Sequence, residues 1–150
     1  MGRIAIVMAV LRCGEKICLA RRSQSVGTSR GLWSVVTSYL EPETDPIAQA
    51  WIELQEELGL RPPTVRAVGR LDPIPLSSPS SDKQFLVHPF LFECDASEPL
   101  VLNWENDEVK WSDPSALEGP DCVAWQLIVV RALLDRASQE RALQRVEDPT

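Results

Sequence analysis

Three glutamates, Glu53, Glu56 and Glu57, stand at i, i+3 and i+4 within the run Glu53-Leu54-Gln55-Glu56-Glu57-Leu58-Gly59-Leu60. On a helix those spacings make neighbours, so the three carboxylates are expected to converge on one patch. Like charges at i, i+4 destabilise a helix, and acids near its C-terminal end oppose the macrodipole. A divalent cation bound there would relieve both penalties. Hard cations such as Mg²⁺ and Mn²⁺ prefer carboxylate oxygens and act beside substrate phosphates. The competing reading is a solvated acidic face, which is what charge runs on helices commonly are.

The helix that must carry these acids is legible at both ends. Asp45 is a good N-cap, and Pro46 suits the first helical position, where its missing N–H costs nothing. Gly59 supplies a left-handed stop, which predicts a helix over about 46–58. Ile47, Trp51, Leu54 and Leu58 recur at helical spacing and form its apolar stripe.

Together with Val36-Thr37-Ser38-Tyr39-Leu40-Glu41-Pro42 and Thr44-Asp45-Pro46, this run resembles the Nudix box, G-x5-E-x7-R-E-U-x-E-E-x-G-U, where U is a bulky aliphatic residue. Glu53, Leu54, Glu56, Glu57, Gly59 and Leu60 fall on matching positions. Ser38, Thr44 and Ile52 stand where the motif has Gly, the first Glu and Arg. Further stretches, among them Leu32 to Glu41, Val87 to Phe92 and Asn103-Trp104-Glu105, look like a Nudix subgroup of unassigned substrate.

The resemblance implies an α/β (α+β) fold, an α/β/α sandwich around a mixed sheet. It implies Mg²⁺ or Mn²⁺ as cofactor, Glu56 and Glu57 as metal holders, and Glu53 as a ligand or as the base that activates water. The backbone carbonyl of Ser38 takes the place of the glycine carbonyl that often serves as a ligand. A loop acid later in the chain often adds a ligand or base, with Glu105 the first choice and Glu108 the second. Ile52 removes the arginine that normally pairs with the glutamates, leaving the cluster more dependent on metal. The implied activity is hydrolysis of a pyrophosphate linkage in a nucleoside diphosphate derivative. The alternative is a Nudix-fold domain that has lost turnover and binds a nucleotide or a protein partner as a sensor.

Composition bounds these readings. A chain of 150 residues fits one domain with one core, here expected to span 1–150. A net charge of −7 and a pI near 4.7 argue against a protein that coats nucleic acid, whose footprint is basic. A nucleotide remains compatible, because metal can mediate the approach of phosphates. The four cysteines lack C-x-x-C spacing and His88 is the one histidine, so a zinc site is not expected. Met1 to Leu11 reads as a strand rather than a signal peptide, and no run approaches membrane-spanning length. A reducing cytoplasm is the simplest assignment. A homodimer is compatible with the sequence.

The elements follow in order. Arg3 to Arg12 reads as a buried strand, and Lys16 to Arg21 as its hairpin partner across Cys13-Gly14-Glu15-Lys16. Arg21, Arg22 and Arg30 flank a polar loop and are candidates to clamp phosphate. Leu32 to Leu40 is expected as the strand feeding the helix, and Thr64 to Leu71 as a further strand. Asp72 to Lys83 is Pro- and Ser-rich without periodicity and is expected as a loop, which the resemblance makes a candidate lid, set against a disordered hairpin tip. Gln84 to Cys94 reads as a central strand, with Pro89 marking a bulge or an edge position. His88 on that strand is a candidate base or phosphate contact, set against a structural histidine. A strand around Val109-Lys110-Trp111 and a long amphipathic helix over about 121–143 complete the chain.

Overall fold

The computed structural model describes residues 3–77, 82–95 and 100–147. Its centre is β1 (Ile4–Cys13), which pairs in parallel with β7 (Gln84–Cys94) from Ile4↔Phe85 to Arg12↔Glu93. The side chains of β1 alternate between two packed layers. Ile6, Met8 and Val10 enter one core, Val7, Ala9 and Leu11 the other. Burial on both faces explains why these strands read as unbroken apolar runs. Around this pair, β4 (Val36–Tyr39) and β2 (Lys16–Arg22) run antiparallel to β1, while β5 (Val65–Arg70) and β6 (Ile74–Ser77) run antiparallel to β7. In turn β2 holds β3 (Trp33–Ser34) and β8 (Asn106–Ser112). The result is one mixed eight-stranded sheet between two helices, as expected for the sandwich.

α1 (Pro46–Leu58) covers one layer through Ala50, Leu54 and Leu58, and Trp51 meets Phe92 edge-on at 4.8 Å between ring centroids. α2 (Ala124–Glu147) covers the other through Val129, Val130, Leu133 and Ala137. No described helix is long and apolar enough to cross a membrane. Far along α2, Arg141 donates to Glu93 at 2.9 Å, and Glu93 also accepts from Arg12 Nε at 3.1 Å. That carboxylate ties the helix to the sheet while partnering a buried guanidinium.

Three elements differ from the sequence expectation. The segment expected as one strand over Leu32 to Leu40 breaks at Val35, because β3 pairs with β2 and β4 with β1. The Val35 N–H left at the break donates to Oε1 of the fully buried Gln126 at 2.9 Å. Part of the expected loop 72–83 is strand: in Ile74-Pro75-Leu76-Ser77 the two aliphatics alternate onto the core and β6 pairs along β7. Positions 78–81 of the candidate lid lie outside the described residues. α2 begins at Ala124 rather than 121, because Asp121 and Val123 are bonded to the backbone of Trp33. Pro89 causes no bulge against β1. It falls where β6 has ended at Val87 and β5 starts at Phe90, so its missing N–H interrupts no ladder.

The end of α1 is built as its sequence suggests. Asp45 accepts from the Ile47 N–H, and Gly59 adopts φ 72° while donating to the Gln55 carbonyl at 3.0 Å. A Cβ on Gly59 would lie 2.9 Å from the Cβ of Val101, whose N–H bonds the Leu58 carbonyl. Gly59→Ala therefore meets both left-handed strain and a clash. It is expected to lower unfolding free energy by about 1–2 kcal/mol, from the cost of that conformation in an L-residue. A urea titration beside wild type checks this, and an unchanged midpoint would show that the cap can be rebuilt without glycine.

Candidate active site

α1 delivers two of its three glutamates to the interior. Successive residues turn by about 100°, so Glu57 lies rotated from Glu53 toward Leu54 and the core, while Glu56 lies rotated away. Glu53 and Glu57 are buried and Glu56 is exposed. Glu56 stands at the exposed side of the patch, close enough for its charge to act on Glu53, and a third carboxylate joins the buried pair. Glu105, from the turn entering β8, brings a carboxylate oxygen within 4.8 Å of oxygens from both Glu53 and Glu57.

Neutral amides hold this trio: Asn103 donates from Nδ2 to Glu105 Oε1 at 3.5 Å, and two others serve the glutamates of α1. Gln49, one helical turn before Glu53, donates from Nε2 to Glu53 Oε1 at 3.0 Å. Asn106, the first residue of β8, donates from Nδ2 to Glu57 Oε1 at 3.0 Å. Both amides are buried. The sequence reading singled out neither, because a glutamine inside a helix and an asparagine among loop acids carry no periodicity or charge signal. The Gln49–Glu53 spacing of four was the one readable hint. Glu57 Oε2 accepts from no amide, hydroxyl or backbone donor, and among the described residues it is the buried side-chain oxygen or nitrogen left in that state.

Electrostatics follow from the burial. Burial pushes the Glu57 carboxyl up to about 9, with the charge of Glu105 and the proton shared with Glu53 acting in the same direction against the Asn106 bond. Burial also raises Glu53, opposed by its hydrogen bonds to Glu57 and Gln49 and assisted by the charges of Glu56 and Glu105. Three hard oxygen donors, one of them buried and met by no amide, hydroxyl or backbone donor, suit a divalent cation such as Mg²⁺ or Mn²⁺. The donor set fits the expected cofactor.

A cavity of about 630 Å³ adjoins the trio, with Glu53 and Glu105 in its lining beside Arg22, Ser38, Lys83 and Trp125. Trp125 stacks on Phe85, with ring centroids 6.3 Å apart and planes 19° apart. Both rings face this space. A smaller cavity of about 370 Å³, at the sheet edge beside Arg70 and Arg136, shares none of these residues.

The remaining candidates are dispersed. Arg22 lines the larger cavity, and its Nε donates to the Thr28 carbonyl at 2.9 Å. Arg21 is engaged on the surface by Asp107 at 2.8 Å and by Glu108 at 3.2 Å, and Glu108 is not one of the three clustered carboxylates. Arg30 donates to the Val26 carbonyl at 2.7 Å and lines neither cavity. His88 is half-buried on β7, also outside both linings, and burial lowers its pKa. Ser38 lines the cavity, while its hydroxyl turns to the Tyr39 carbonyl at 3.3 Å.

The comparisons agree with this architecture. The family model described as NUDIX domain matches residues 1–133, and the chain belongs to that family. Members of the family are in general hydrolases of a pyrophosphate linkage and generally use divalent metal ions. Among solved structures, the chain resembles a C. elegans Ap4A hydrolase in a binary complex at 14% identity and TM-score 0.68, covering 94% of this chain and 98% of that one. It resembles the MutT protein from Methanosarcina mazei Go1 at 19% identity and TM-score 0.68, covering 93% and 95%. It also resembles the NUDIX domain of Shewanella oneidensis NrtR, complexed with ADP ribose, at 18% identity and TM-score 0.67, covering 95% and 90%. At these identities the likeness is one of fold. No curated protein matches the chain at a significant level.

Proposed function

We propose that this protein is a metal-dependent hydrolase that cleaves the pyrophosphate linkage of a nucleoside diphosphate derivative. The observation that carries the reading is a buried Glu57 Oε2 that no amide, hydroxyl or backbone donor meets, beside Glu53 and Glu105, which line a cavity large enough for a nucleotide. Glu53, Glu57 and Glu105 would hold Mg²⁺ or Mn²⁺, with the Ser38 carbonyl and the exposed Glu56 as further donors. A bound divalent cation supplies charge neutralisation for the diphosphate oxygens and lowers the pKa of a water molecule.

The chain's own groups supply the rest. Glu53 faces the cavity and, when ionised, is placed to accept a proton from the attacking water. Arg22 and Lys83 offer positive charge on the same lining for substrate phosphates. Trp125 and Phe85 offer an aromatic wall, and stacking of a base on such a wall is worth about 1–3 kcal/mol. The ADP ribose held by the Shewanella domain and the Ap4A named for the C. elegans enzyme are of the same chemical class. We place the activity in the cytoplasm, in line with a chain whose four cysteines carry no pairing motif.

The test is phosphate or nucleoside monophosphate release from a panel of nucleoside diphosphate derivatives, with Mg²⁺, with Mn²⁺ and with chelator. Turnover that needs metal and disappears in both Glu53→Gln and Glu57→Gln is the expected result. The outward turn of Glu56 favours a second reading, a domain that binds nucleotide without cleaving it. Nucleotide binding without turnover on every compound would establish that reading instead.

A further inference from the structure

We infer that Gln49 and Asn106 are positioning residues for the metal, two neutral amides that aim the carboxylates of Glu53 and Glu57 without placing a competing positive charge beside the cation. The inference rests on the metal-dependent reading above. Each amide spends one N–H on one carboxylate oxygen, at 3.0 Å in both cases. A lysine or arginine in either place would fix the same oxygen and also offset a charge that the incoming cation needs. An amide fixes the direction of the lone pairs without that cost.

The two residues do different geometric work. Gln49 sits at i−4 from Glu53, so α1 itself presets that bond. Asn106 lies 49 residues from Glu57 in sequence and directly follows Glu105. Its single bond therefore joins the end of α1 to the strand that brings the third carboxylate. With Oε1 taken by Asn106, Glu57 is left with Oε2, which no amide, hydroxyl or backbone donor meets. A buried amide that served packing alone would have no reason to leave an oxygen in that state beside two more carboxylates.

The experiment is calorimetric titration of the full chain with Mn²⁺, no nucleotide present, for wild type, Gln49→Met and Asn106→Leu. Both replacements keep approximate volume and remove the donor. Losing a hydrogen-bond partner behind a metal ligand typically weakens metal affinity about 10–100-fold, and that loss is expected for each variant separately. Thermal unfolding without metal is measured alongside. A purely structural role would lower the melting temperature and leave the Mn²⁺ affinity of the folded protein unchanged, which overturns the inference. If one variant does not fold, the affinity of the other decides. Wild type that binds no Mn²⁺ overturns the metal reading and this inference together. Wild type that binds, with variants that bind equally well, overturns this inference alone.

Discussion

Glu57→Gln is expected to make the metal-free protein more stable at pH 9 while leaving it close to wild type at pH 5. Burial pushes the Glu57 carboxyl up to about 9 in the folded chain, whereas an unfolded glutamate keeps its ordinary value of about 4.3. Between those values the folded chain holds a proton that the unfolded chain has released. Stability from this group is therefore fully present below the unfolded value and is lost as pH rises toward and through the folded one. Glutamine mimics the protonated form at every pH and can still accept the Asn106 N–H through Oε1. An uncompensated buried charge costs on the order of 3 kcal/mol, which sets the size of the gain expected at pH 9. Mg²⁺ binds the ionised form, so it should stabilise wild type increasingly from pH 5 to pH 9 and do little for Glu57→Gln. Melting curves at pH 5, 7 and 9, with and without Mg²⁺, read all four comparisons. A variant that loses stability with pH in parallel with wild type would locate the alkaline sensitivity elsewhere.

The second large effect is on rate. Glu53→Gln keeps size, helix preference and the Oε1 acceptor that Gln49 bonds, so the fold should tolerate it. What it removes is a site that can take up a proton. Turnover is expected to fall about 10²–10⁴-fold, the usual span for loss of a general base. The Mn²⁺ affinity of the same variant separates two roles. Retained affinity with lost kcat marks Glu53 as the base, while affinity and kcat falling together mark it as a ligand. Turnover within a few-fold of wild type would remove Glu53 from both roles.

Local signals carried much of this structure. Asp45, Pro46 and Gly59 fixed both ends of α1 because capping is decided within a few residues, and the continuous apolar runs of β1 and β7 announced strands buried on both faces. The acids were legible as a group. Their sorting was not, since which of Glu53, Glu56 and Glu57 turns inward depends on how α1 rolls onto the sheet through Ala50 and Leu54. The Asn106–Glu57 bond and the Gln126–Val35 bond join residues 49 and 91 positions apart, and no periodicity encodes such pairs. β6 went unread for another reason: Pro75 and the serines after it outweighed a two-residue alternation, Ile74 and Leu76, that has meaning only beside β7.

The end of β2 bears on how a ligand would be received. Ser23 donates from its backbone N–H to the Glu105 carbonyl at 2.8 Å and from its hydroxyl to the Trp104 carbonyl at 2.7 Å. Glu105 thus stands on a segment that β2 has already arrested, though it precedes a strand and reads as a loop acid. A carboxylate on a free loop would surrender backbone freedom at the moment of capture, about 1–2 kcal/mol for each residue ordered. Here that entropy has been given up during folding. Association can draw on the attraction of the acids with little loss to ordering, which is the physical meaning of a preorganised site.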